Sequence, residues 1–265
     1  MTETMHDWCA LSLVQRLAAM LDRDPLAFRT CDTLPRGWHV VMFNAATPQA
    51  ELRPDGLAGL GITLPELGLP RVMAAGRRTT WHGDIAIGNA VRRDSRIANV
   101  VEKQGRSGRF AIVTIEHRIS ADELALVEEQ DYVMREPNPD TPAAPPPAAQ
   151  PRPAAAERFL VPDETLLLRY CAITYNAHRI HYDQAYATGV EGYPALVVNG
   201  GIPILALMEL YRSQARREPT HAVLRNLAPL FCGRTMRLCA TPSEQGWQLW
   251  AEDDGGRLAV EMTVT

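Results

Sequence analysis

The sequence predicts an α+β protein built as a tandem repeat, two halves that each set a helix against an antiparallel sheet. Three observations carry that expectation. Residues 202–217, IPILALMELYRSQARR, are apolar on nearly all sides as far as Leu210 and polar beyond it, the pattern of a helix sunk in a core. Three stretches that read as strands follow Pro219: TMRLCATP, GWQLWAED and RLAVEMTV. Between the halves, residues 137–156 hold eight prolines and seven alanines, too little bulk to bury and too much proline for a helix or central strand.

Taken in order, residues 1–136 form the first expected domain. LSLVQRLAAMLDRD reads as an amphipathic helix, WHVVMFN as a strand, and residues 83–119 as two long strands around Gly105-Arg106-Ser107-Gly108. ALVEEQDYVMR is a further strand. Residues 137–156 are the linker, semi-extended and long enough to cross a domain, at about 3.1 Å per residue of polyproline II. Residues 157–265 form the second domain. PDETLLLRYCAITYN leads into a polar loop, and YPALVVNGG is a short apolar strand ending in two glycines. The buried helix follows at once, with Pro203 in its first turn, where a missing N–H is harmless. Asp254-Gly255-Gly256 signals a hairpin between the last two strands, and Leu258, Val260, Met262 and Val264 share one face of the final one. HGDIAIGNAV in the first half matches FCGRTMRLCA in the second by placement, hence the tandem reading.

The chain of 265 residues, 46% apolar, can bury a sizeable core. A net charge of −4 without a long basic run gives no sign of a nucleic-acid partner. The first residues lack the basic-then-apolar order of a secretory leader, and no window approaches the roughly 20 apolar residues that span a bilayer. Five cysteines, an odd number without CxxC spacing, read as reduced thiols of a cytoplasmic protein.

The chemistry concentrates in residues 173–183, ITYNAHRIHYD, which crowd Asn176, His178, His181 and Asp183 together. A metal site is disfavoured: the two histidines stand three apart rather than four, and no closed Cys/His set accompanies them. Asn176 as a helix cap is the bland alternative. A third reading joins this loop to the glycines of VVNGGIPILAL. A helix start leaves backbone N–H groups unpaired, and glycine lets a ligand come close, so an oxygen gaining negative charge would be held there. An imidazole, an amide to hold water and an oxyanion pocket suit the addition of water to a double bond conjugated to a thioester, or its reverse.

On these residues the chain resembles the MaoC-like, hotdog-fold enoyl-CoA hydratases, whose motif runs roughly Asp-x-Asn-Pro-x-His, with a His-Gly pair at the start of the central helix. The resemblance implies a double hotdog, each half a long central helix wrapped by an antiparallel sheet, the first degenerate and the second catalytic. It puts the catalytic histidine at His181, the catalytic aspartate at Asn176 and the oxyanion glycine at Gly200, with Gly201 beside it. The motif's Asn and Pro fall on His178 and Arg179, and the histidine before the glycine on Asn199. The segments NAHRIHYDQAYA, KQGRSGRFAIVTIEH, EEQDYVMR and RNLAPLFCGR look like the branch that includes mesaconyl-C4-CoA hydratase, itaconyl-CoA hydratase and mitochondrial-type fatty-acid dehydratases.

What the resemblance implies is a hydro-lyase acting on a C5 dicarboxylic enoyl-CoA, with citramalyl-CoA as the hydrated form. No cofactor is implied, CoA being part of the substrate, and a homo-oligomer is allowed. Because an amide takes no proton near neutral pH, His181 must carry most of the proton transfer while Asn176 orients water or the ring. Arg179 and Arg225 are candidates for a substrate carboxylate or a CoA phosphate, and Asn199 for substrate contact. Asp183 is a possible second base. The rival readings are a 3-hydroxyacyl-thioester dehydratase of fatty-acid synthesis, a thioesterase, and a non-catalytic acyl-CoA binding module. His181 beside the oxyanion glycines argues against the last.

Overall fold

The computed structural model describes residues 2–105, 108–136 and 152–265; residues 137–151 of the expected linker, and Arg106 and Ser107 of the expected hairpin tip, lie outside them. The described strands are β1 (Thr2–Trp8), β2 (Arg71–Trp81), β3 (Ala90–Gly105), β4 (Gly108–Ser120), β5 (Leu124–Arg135), β6 (Ala156–Leu160), β7 (His221–Asn226), β8 (Met236–Ser243), β9 (Gly246–Glu252) and β10 (Leu258–Val264). They form one sheet in the order β1-β3-β4-β5-β2-β7-β10-β9-β8-β6, all neighbours antiparallel. Counted inward from either edge, each half runs first, third, fourth, fifth, second. The order is a palindrome about the seam between β2 and β7, where Gly76 pairs with Arg225, Arg77 with Leu224 and Thr79 with Ala222. The tandem reading thus appears as topology, and the two sheets meet edge to edge.

The helices are α1 (Leu11–Met20), α2 (Glu164–Ile173), α3 (Gln184–Gly189) and α4 (Gly201–Ala215). Helix α4 is buried at every position from Ile202 to Met208 and packs on β8 and β9, as its all-round apolar sequence requires. Arg216, in the left-handed region at φ 52°, ends it. No described helix is long and apolar enough to cross a membrane.

The first half departs from expectation. It has no long central helix among its described residues, and WHVVMFN is not a strand. Trp38–Val41 is one short 3-10 turn set against α4, with Trp38 Nε1 donating to Glu209 Oε1 at 2.9 Å. The chain from Met42 to Pro70 runs mostly as irregular coil, and its Ile62 and Leu69 pack on Ala111, Val113 and Ile115 of β4. One apolar core, containing Leu17, Trp38, Leu126, Leu205 and Leu249, runs through both halves. Among the described residues, a single long helix therefore serves ten strands.

Candidate active site

Three pieces of the C-terminal half converge. Helix α2 ends at Ile173 in a Schellman closure: Tyr175 adopts φ 48°, and Asn176 N–H returns to Cys171 O at 2.9 Å. A non-glycine residue in the left-handed region is strained, and that strain turns the chain sharply into the polar loop. Asn176 Oδ1 then accepts from His178 N–H at 2.9 Å, an Asx turn that fixes the amide.

A 3-10 turn, Arg179–His181, carries the histidine inward until only 8% of it is exposed. Its Nδ1 lies 2.7 Å from Val197 O. A carbonyl only accepts, so Nδ1 bears the hydrogen and Nε2 keeps its lone pair. Burial, with His178 adding to it, pushes the His181 pKa down to about 4 against the pull of the Val197 carbonyl. At neutral pH the ring is uncharged, as a base must be.

Val197 and Val198 run extended, with Val197 N–H on Ile180 O and Val198 N–H on Leu230 O, both at 2.9 Å. The following Asn199-Gly200-Gly201 turn opens α4. Among the described residues the Gly200 and Gly201 N–H groups have no acceptor, as expected at a helix start. Space is open around Gly200, whereas a Cβ on Gly201 would collide with the Tyr170 hydroxyl. Burial raises that phenol to about 12, so it stays protonated.

Asn176, His181, Asn199, Gly200, Gly201 and Tyr170 line one cleft of about 190 Å³. The remaining sequence candidates lie elsewhere. Arg179 gives its fork to Asp183 at 2.8 and 3.0 Å and stacks 4.1 Å from the Tyr186 ring, so it is not brought to the cleft. Asp183 caps α3 through Tyr186 N–H and, held by that bond and by Arg179, has its carboxyl pKa lowered. It is committed locally and does not line the cleft. Arg225 projects outward between the inward-facing Leu224 and Asn226, 3.7 Å from Glu261 and 68% exposed. Asn199 is buried and faces Cys171 Sγ at 3.5 Å, tying the glycine turn to α2. The rings of His178 and His181 stand edge to face at 5.5 Å, and among the described residues no three His, Cys, Asp or Glu side chains gather as metal ligands.

Across the cleft lies the first half, contributing Val40, Gly76, Arg77, Gln130 and Tyr132. The family-model match covers residues 37–232 and is to Hydroxyacyl-thioester dehydratase type 2. The chain belongs to this family. Among curated relatives, the mesaconyl-C4-CoA hydratase of Chloroflexus aurantiacus is 40% identical, over 99% of this chain and 94% of that protein. HtdX of Mycobacterium tuberculosis superposes with a TM-score of 0.67 at 19% identity, over 100% of this chain and 99% of HtdX. A second M. tuberculosis protein, described as a double hotdog, gives 0.55 at 14% identity, over 98% of this chain and 92% of that one. The fold is accordingly a double hotdog.

In this member of the family, the first half's share of the cleft was not read from sequence. Glu128, Gln130 and Tyr132 fall two apart on β5 and so lie on one face, a polar row where an inner face is ordinarily apolar. That alternation was the available signal.

Proposed function

We propose that the protein adds water to a C5 dicarboxylic enoyl-CoA to give citramalyl-CoA, reversibly, with mesaconyl-C4-CoA the leading substrate and itaconyl-CoA the other. The carrying observation is a neutral, buried imidazole sharing one cleft with two unpaired helix-start N–H groups. The 40% identity to a mesaconyl-C4-CoA hydratase over nearly the whole chain supports the substrate. His181 Nε2 takes a proton from water as its oxygen bonds to the β carbon. In mesaconyl-C4-CoA the double bond is conjugated with the thioester, and its electron pair moves toward the thioester oxygen, whose charge the Gly200 and Gly201 N–H groups hold. The proton on His181 then passes to the α carbon, so atoms balance without a second acid. In itaconyl-CoA the double bond lies one carbon further out and must first be moved into conjugation by proton transfer from the α to the γ carbon. Asn176, its carbonyl fixed by His178, has its NH2 free to hold the water.

Catalysis in this reading belongs to residues 157–265, with the first half supplying the opposite wall, and it proceeds in the cytoplasm without a cofactor. A panel of enoyl-CoA thioesters, read by mass spectrometry for the gain of one water, tests it. Hydration of mesaconyl-C4-CoA or itaconyl-CoA well ahead of crotonyl-CoA and longer alkenoyl-CoAs is expected. Hydration of the uncharged thioesters alone would overturn the substrate assignment.

A further inference from the structure

The proposed reaction does not use the buried charged network on the first half's inner face. Glu128, 2% exposed, receives four donors: His39 Nε2 at 3.0 Å, Arg77 Nη1 at 3.1 Å, Thr79 Oγ1 at 2.9 Å and Gln130 Nε2 at 2.6 Å. Burial alone would raise its pKa, but the Arg77 charge and the His39 bond overcome that and hold it well below the usual carboxylate range. Glu128 is therefore an anion with both oxygens hydrogen-bonded, a rigid anchor for one side of Arg77.

The other side of Arg77 is free. Among the described residues Glu128 is its sole side-chain acceptor, and its guanidinium carries five N–H groups. It is the one lysine or arginine among the described residues lining the cleft that holds His181, Asn176 and Gly200. It also lines a second, small space of about 20 Å³ bordered by Trp81, Met208 and Met262, so it stands where the two spaces meet.

We infer that Arg77 is the specificity residue of the cleft, the cation that receives the substrate's free carboxylate and closes the acyl pocket behind it. The inference rests on the proposed hydratase reading and deepens it. In a mesaconyl-C4 thioester the carboxylate sits on the carbon that receives the hydroxyl. Its partner cation must then share the cleft with the base, as Arg77 does and as Arg179 and Arg225 do not. A planar fork pinned at one corner by Glu128 suits bidentate capture of a carboxylate. An uncharged acyl chain would leave Arg77 unsatisfied and be disfavoured.

The test is kcat/KM for mesaconyl-C4-CoA and for trans-2-pentenoyl-CoA, which has the same carbon number and no charge, on the full chain. Arg77→Met should lower the ratio of the first to the second by about 100-fold or more, mainly through KM, with Arg77→Lys recovering part of it. Arg77→Met combined with Glu128→Gln leaves no orphaned carboxylate, and it decides the matter if the single variant fails to fold. The same variants should accept longer alkenoyl-CoAs better, through the opened second cavity. An unchanged ratio, with both substrates falling together or neither falling, overturns the inference while the hydratase reading stands. A wild-type protein that hydrates 2-pentenoyl-CoA but no carboxylated thioester overturns both.

Discussion

In the C-terminal half the sheet is filled by α4, with Leu205, Leu207, Met208, Leu238, Leu249 and Val260 in one dry core. In the N-terminal half the same five-strand order carries no such helix among the described residues, and Arg77, Thr79, Glu128, Gln130 and Tyr132 occupy the inner face of β2 and β5. A polar inner face beneath an apolar helix would strand buried hydrogen-bonding groups, at a cost of about 1–3 kcal/mol each. The polar row and the lack of a covering apolar helix are therefore physically consistent with each other. The cleft has His181 and the glycine turn on one wall and Arg77, Gln130 and Tyr132 of the first half on the other.

The pair His117 and His181 puts that division to its hardest test. Both are buried, one in each half, and burial lowers each to a pKa of about 4, with Arg93 assisting at His117 and His178 at His181. His117 faces Ser95 Oγ at 2.8 Å, outside the cleft. His181→Ala should cut turnover by roughly 100- to 10,000-fold, the usual worth of general acid–base catalysis, with thioester binding retained. His117→Ala should leave turnover within a few fold while costing about 1–3 kcal/mol of stability in a urea titration. A large loss of turnover in His117→Ala would end the claim that catalysis belongs to one half.

Next in size is the glycine pair. Gly201→Ala drives a methyl into Tyr170 and should lower the melting temperature along with activity. Gly200 has open space and an ordinary helical φ of −57°, so Gly200→Ala should fold normally. Its methyl nevertheless obstructs the approach to the N–H groups, and turnover should drop about 10- to 100-fold, in the range of a weakened oxyanion contact. Equal melting losses in the two variants would contradict the assigned geometry.

The shared depression of the two histidines gives a smaller, pH-dependent effect. Between about pH 6.5 and pH 4 the unfolded chain protonates these rings while the native one does not. Their contribution is therefore full above 6.5 and is lost as pH falls toward 4. A melting curve series should show a decline of at most a few kcal/mol for each histidine, shallower in His117→Ala, since a tenfold change in proton affinity is worth about 1.4 kcal/mol. The acid limb of kcat/KM should lie near 4 rather than near 6.5. Smallest of all is Tyr175→Gly, which relieves the left-handed strain at the end of α2. It should change stability by about 0–1 kcal/mol and leave turnover intact, because the helical cost of a side chain there is partly offset by glycine's entropy.

How much of this could be read from the chain follows the same physics. His181, Asn176 and the glycines, singled out by the family motif, lie in one cleft. The α4 helix and the paired strands β3–β4 and β9–β10 announced themselves through strong local patterns. Strands β1, β2, β6 and β7 did not. β1 and β6 are edges, and Thr2–Trp8 alternates half-buried with exposed residues that are mostly polar. β2 loses its period at a bulge between Ala74 and Gly76, and its cleft-facing positions are polar. The WHVVMFN stretch has β-branched, apolar content, yet Gly37 at φ 96° turns it into a 3-10 segment against Met208. Arg179 looked like a ligand because it sits in the motif, but Asp183, four residues on, claims it at shorter range. Arg77 lies about a hundred residues from the motif, and only the pairing of β2 with β7 brings it near.

That seam has a bearing on mass action. A cleft shared by two separate hotdog copies would vanish on dilution below their dissociation constant. Here residues 137–156 tie the copies into one chain, so each half sees its partner at an effective concentration on the order of millimolar, however dilute the protein. The two walls of the cleft are also inherited together. A change on β5 is never mirrored on β10, so one wall is free to change without altering the other.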